Sequence, residues 1–160
     1  MVFPSLARRW AAALMAALAC LLAAAPAAAL QVLHTELSDY APVVVYETDD
    51  GQRCLSFGQA DADARQTCIY TDGSARMPFA YTRMMMATLL AQPDPSRILI
   101  IGLGGGTLPK ALSEVLPKAR IDVVEIDPAV DRVAQDWFGF HPSGRLRVYH
   151  QDGRDRKSTR

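Results

Sequence analysis

Ile98-Leu99-Ile100-Ile101-Gly102-Leu103-Gly104-Gly105-Gly106-Thr107, answered by Val123-Val124-Glu125-Ile126-Asp127-Pro128, is the stretch that decides the fold. An apolar strand runs into a glycine cluster, and a second apolar strand ends in a carboxylate about 20 residues later. A doubly wound α/β domain opens this way when it holds a nucleoside-bearing cofactor. Glycines let the backbone turn sharply and approach a ligand closely. A carboxylate ending the neighbouring strand can accept hydrogen bonds from both ribose hydroxyls, which is the role expected of Glu125.

The glycine spacing narrows the ligand. Gly102, Gly104 and Gly106 form G-x-G-x-G, with Gly105 filling the last gap. A dinucleotide fingerprint would place its third glycine at 107, which is Thr107. The pattern therefore points to a mononucleoside such as S-adenosylmethionine or a relative, rather than to a pyrophosphate on a helix N-terminus.

Working outward, the periodicity predicts a strand over 97–103 and a helix over about 107–116, with Thr107 as N-cap and Leu108, Ala111, Leu112, Val115 and Leu116 on its apolar face. A strand over 120–126 follows. Asp127-Pro128 then opens a second helix, capped by the aspartate, and a strand over 146–151 closes the readable part. Strand–helix–strand–helix–strand means parallel pairing with right-handed crossovers. Such a sheet usually has more than three strands, and residues 153–160 contain no apolar side chain to complete it. The expectation is a fragment of a longer protein, with Ile98–Ile101 as an apolar open edge.

The N-terminal half differs. Residues 1–29 read as a secretory signal peptide: Arg8 and Arg9, an apolar stretch from Trp10 to Leu22, and a small-residue site at Ala27-Ala28-Ala29. The protein is thus expected to be exported, periplasmic or secreted. Cleavage removes two of 17 basic residues and none of 17 acidic ones, leaving a net charge of −2 that does not suggest nucleic acid. Residues 30–76 read as a small β-rich domain with strands at 43–48, 53–57 and 66–70 and a turn at Asp49-Asp50-Gly51-Gln52. Cys54 and Cys68 are an even pair in an oxidising compartment, and a disulfide is expected over the alternative of two small buried thiols. No histidine stands at ligand spacing from either, so no metal is expected. Residues 77–96 read as a connecting helix and linker, with Met84-Met85-Met86 as core filler. Residues 97–160 form the first half of the nucleoside-binding domain.

Met77-Pro78-Phe79-Ala80-Tyr81-Thr82-Arg83, the glycine turn, Val124-Glu125-Ile126-Asp127-Pro128 and Asp152-Gly153-Arg154 together resemble the polyamine aminopropyltransferase family, the spermidine synthases and their bacterial relatives. The resemblance implies a Rossmann-like domain of the class I S-adenosylmethionine-dependent methyltransferase type, preceded by a small β-hairpin domain. It implies aminopropyl transfer from decarboxylated S-adenosylmethionine to putrescine. It would place Glu125 on the ribose, Asp152 on the adenine amino group with Gly153 beside it, and Gly102, Gly104, Gly105 and Gly106 along the nucleoside. Tyr81 and Gln66 would face the substrate side. Expected partners are a nucleoside and a polyamine, with a homodimer for the full-length form and membrane contact only through the signal peptide.

Three departures qualify the resemblance. The glycine turn lacks the aspartate that active relatives usually carry there, and Thr82 replaces a common histidine. The family's catalytic aspartate belongs to a later strand. The chain alone is therefore expected to be inactive, with no catalytic residue of its own. The alternatives are an S-adenosylmethionine-dependent methyltransferase and a non-catalytic exported nucleoside- or polyamine-binding protein.

Overall fold

A computed structural model describes residues 30–155; the signal-peptide reading and the last five residues of the basic tail lie outside them. An antiparallel sheet comes first, in the order β1 (Gln31–Glu36), β2 (Val43–Thr48), β3 (Gln52–Phe57), β4 (Thr67–Tyr70). Strand β1 had no counterpart among the three strands read from the sequence. Among the described residues its outer side is unpaired, and its register slips between Val32 and His34, so it carries a weak alternation.

The chain then crosses through α1 (Ala80–Met86) and a 3₁₀ turn (Ala87–Leu90) to a parallel sheet. That sheet runs β5 (Arg97–Ile101), β6 (Arg120–Glu125), β7 (Leu146–His150), connected by α2 (Thr107–Val115) and α3 (Pro128–Phe138). Because the strand order advances in one direction, right-handed crossovers place both helices on the same face. Ile100, Ile121, Val123 and Leu146 on that face pack with Leu108, Leu112, Val130 and Val133 of the helices. On the opposite face Leu99 and Ile101 remain 52% and 60% exposed.

The two sheets share a core. Val43, Val45 and Leu55 of the antiparallel sheet join the cluster built around α2 and α3. Alternation sends Val44, Tyr46, Cys54 and Cys68 to the other face, under Leu30, Ala60 and Phe79. Charged groups tie the sheet to α3: Glu36 accepts from Arg132 at 2.8 Å, and Arg53 donates to the Trp137 carbonyl at 3.1 Å. His34 stacks on Trp137 with ring centroids 5.4 Å apart.

Several local expectations need correction. Gly106, at φ 72°, is the N-cap of α2. Thr107 is inside the helix, and its hydroxyl is buried with no partner among the described residues. Val115 points to solvent, because α2 ends there and only Leu116 turns back to the core. The methionine run is not core filler as a whole: Met84 is 73% exposed, Met85 is exposed, and only Met86 reaches the core. By contrast, the Asp127 carboxylate accepts from the Ala129 N–H at 2.8 Å with Pro128 in the first turn, as an N-cap should.

Candidate functional site

The site is a cleft of about 440 Å³ between the glycine turn and the end of the antiparallel sheet. Strand β5 delivers its last residues into a backbone that only glycine adopts easily: Gly102, Gly104 and Gly106 have φ of 90°, 56° and 72°. The Gly102 N–H still bonds the Val124 carbonyl at 2.8 Å, which holds the turn in register with β6.

Each glycine answers to a different neighbour. A Cβ at Gly102 would meet nothing within 4 Å, so that position opens on the cleft. At Gly105 it would lie 2.8 Å from the Thr67 methyl and 2.9 Å from the Phe138 ring, and at Gly106 2.5 Å from Phe140. Gly102 and Gly104 therefore line the cleft, whereas Gly105 and Gly106 are the close approach that lets α2, α3 and β4 converge behind it.

Glu125 ends β6 at the cleft floor, 7% exposed. One carboxylate oxygen accepts from the Leu103 N–H at 2.8 Å, and the other accepts from the Asp127 N–H at 3.0 Å. A carboxylate offers about four lone-pair sites, so each oxygen keeps capacity for one further donor. These two bonds aim the group and leave it able to receive a pair of hydroxyls. Asp127 itself faces away, capping α3 and accepting from the Ser38 hydroxyl at 2.6 Å.

The opposite wall comes from the N-terminal sheet and α1. Gln66, Thr67, Phe57, Tyr81, Thr82 and Met85 line it. The Tyr81 hydroxyl donates to the Gln66 carbonyl at 3.3 Å, and partial burial pushes its phenol above the usual range. Of the residues named from the sequence, the structure brings Gln66, Tyr81, Gly102, Gly104 and Glu125 to one cavity.

Asp152 and Gly153 stand beside the cleft, not on its wall. A Cβ at Gly153 would lie 2.6 Å from the side chain of Ile101, which does line the cleft. The Asp152 carboxylate is held by Arg154 at 2.5 Å, and that bond keeps its pKa down at about 2. Cys54 and Cys68 pair directly across β3 and β4 with Cα atoms 4.1 Å apart, and their sulfurs are joined at 2.01 Å. Among the cleft residues missed in the sequence are Phe57, Thr67, Met85 and Leu103. Thr67 had a readable signal, since strand alternation puts it on the opposite face from Cys68.

Among the described residues no cluster of His, Cys, Asp or Glu could hold a metal ion, and no helix is long and apolar enough to cross a membrane.

No protein-family model matches the chain. A polyamine aminopropyltransferase of Vibrio vulnificus (strain CMCP6) is 47% identical over 124 residues, which are 77% of this chain and 41% of that protein. An eEF1A lysine and N-terminal methyltransferase of Mus musculus is 51% identical over 72 residues, 42% of this chain and 10% of that protein. A probable spermidine synthase from Corynebacterium glutamicum ATCC 13032 shares the fold at a TM-score of 0.62 and 22% identity, over 84% of this chain and 48% of that one. The chain thus spans about two-fifths of the length of the Vibrio relative it matches. Glycine turn, strand-end glutamate, preceding antiparallel sheet and that identity converge on one assignment: over the matched stretch, the chain belongs to the polyamine aminopropyltransferase family.

Proposed function

We propose that the cleft binds the adenosine part of decarboxylated S-adenosylmethionine, and that the protein's activity is aminopropyl transfer to a diamine such as putrescine. The carrying observation is Glu125: a buried carboxylate fixed by two backbone N–H groups, with its free lone pairs turned toward a glycine-walled cavity. In this reading Glu125 holds the ribose hydroxyls and the Gly102–Gly104 backbone lies along the nucleoside. Asp152, one strand over, reaches the adenine amino group once it exchanges part of its contact with Arg154. Tyr81 and Gln66 sit where the sulfur-linked chain would leave toward the acceptor.

An acceptor amine must shed a proton before it can displace sulfur at carbon, and a base is needed to take it. Among the described residues the cleft has one carboxylate, Glu125, and its place is on the ribose. These residues therefore supply donor binding, and donor binding without transfer is the behaviour we assign to them. Export by the residue 1–29 segment belongs to the same proposal, as does a homodimer of a longer form.

A methyltransferase is the second reading. It is favoured by the 51% identity to the eEF1A methyltransferase and by the absence of an acid from Gly104-Gly105-Gly106. Incubation with putrescine and each donor, of the protein and of any longer form that carries these residues, separates the two by mass spectrometry. Spermidine formed with the decarboxylated donor is expected. A methylated product with S-adenosylmethionine and no spermidine would replace the first reading by the second.

A further inference from the structure

The antiparallel sheet forms one wall of the cleft through its weakest member. Strand β4 has four residues and, among the described residues, lies at the sheet edge and is laddered only to β3. Yet Thr67 is 5% exposed and its methyl occupies the space left by the missing side chain of Gly105. Gln66 extends the ladder with an N–H bond to the Leu55 carbonyl at 2.9 Å and takes the Tyr81 hydroxyl on its own carbonyl. Gln66 and Thr67 are thus placed at the start of β4, next to Cys68, and Tyr81 of α1 bonds to them through the Gln66 carbonyl.

A short edge strand with a single ladder belongs to the low-stability end of a structure and opens locally. Here the opening is countered by one covalent bond, on the sheet face turned away from the cleft. Cys54 and Cys68 are 0% and 1% exposed, in a cluster with Val44 and Tyr46.

We propose that the Cys54–Cys68 disulfide is a positioning clamp: it holds Gln66 and Thr67 against the glycine turn, so the redox state of this pair sets the affinity of the cleft. The consequence for affinity rests on the nucleoside reading of the site; the clamp itself does not. Release occurs by thiol–disulfide exchange with a dithiol. Its thiolate attacks one protein sulfur after local opening, and its second thiol displaces the mixed disulfide. Two protein thiols form, the protein gains two electrons and two protons, and the dithiol leaves as a cyclic disulfide.

The test compares the full chain, carrying Cys20→Ser so that only this pair reacts, when oxidised, reduced with dithiothreitol, and reoxidised. A Cys54→Ala/Cys68→Ala variant serves as the permanently open form. Amide hydrogen exchange without ligand reads the clamp, and calorimetry with methylthioadenosine reads its consequence. Reduction is expected to speed exchange at Gln66, Thr67, Gly104 and Gly105 while Val123 and Val124 stay protected. Affinity is expected to fall about tenfold, which corresponds to about 1.4 kcal/mol. Reoxidation restores both. Unchanged exchange at Gln66 and Thr67, or exchange that rises equally in β6, would overturn the clamp. Faster local exchange with no methylthioadenosine bound in any state would support the clamp and overturn the nucleoside reading instead.

Discussion

The glycines of the turn are not interchangeable, and their individual surroundings give different expected costs. Gly106→Ala would put a Cβ 2.5 Å from the Phe140 ring in a left-handed backbone. Overpacking and the wrong hand of φ together should destabilise the fold by about 3 kcal/mol. Gly102→Ala meets open space and carries only the conformational term, roughly 1–2 kcal/mol, while its methyl intrudes on the cleft. Urea unfolding of the two variants checks the order, and equal losses would contradict it. Asp152 offers a test of charge at the same scale. Its pKa is lowered to about 2 first by the Arg154 side-chain hydrogen bond. The paired state is therefore favoured above the ordinary carboxylate range and is lost as pH falls through about 2. The Asp152 carboxyl should titrate near that value by NMR and move up toward 3.8 in Arg154→Ala; an unmoved midpoint would remove the pair as the cause. Residue identity announced Glu125 and the glycine turn because both follow from local spacing. It could not announce that Asp152 turns to Arg154, a contact decided by side-chain rotamers at an exposed strand end.

Elements were legible where the hydrophobic period was strong. The β5–α2–β6–α3–β7 alternation was readable because short apolar strands, Ile98–Ile101 and Val123–Val124 above all, alternate with segments of helical spacing opened by glycine or Asp-Pro signals. Strand β1 was not, because Gln31–Glu36 is an edge strand with a bulge and mixed exposure. The methionine run misled because Met84–Met86 looks apolar in every direction, whereas α1 is a single short segment that buries Thr82, packs a half-buried Met86 on the core and leaves Met84 in solvent. Strand β5 is the sheet edge among the described residues, and Leu99 lies on its uncovered face. An exposed apolar edge templates pairing with another chain. Leu99→Lys should therefore sediment as a monomer at concentrations where the parent chain associates. A parent chain that is monomeric throughout would contradict this.

At the scale of the molecule, the cleft exists because two sheets of different kind share a core. The parallel sheet brings Glu125 and the glycines, the antiparallel sheet brings Gln66 and Thr67, and α1 places Tyr81 between them. Sequence patterning named residues on both sides. It did not reveal how they meet, since the contact of Thr67 with Gly105 joins segments far apart in the chain and depends on an absent side chain. In the proposed function Glu125 anchors a nucleoside, not a dinucleotide, in that cleft. Calorimetry of the chain with methylthioadenosine and with NAD, repeated on Glu125→Gln, tests it most directly. The substitution keeps the volume but exchanges an acceptor oxygen for a donor NH₂ against a backbone N–H. It should weaken methylthioadenosine binding by about tenfold or more, since a hydrogen bond to a charged group contributes about 1.5–3 kcal/mol. Methylthioadenosine binding tighter than NAD, and losing its advantage in Glu125→Gln, is the predicted result. Tighter NAD binding, or methylthioadenosine affinity indifferent to the substitution, would contradict it.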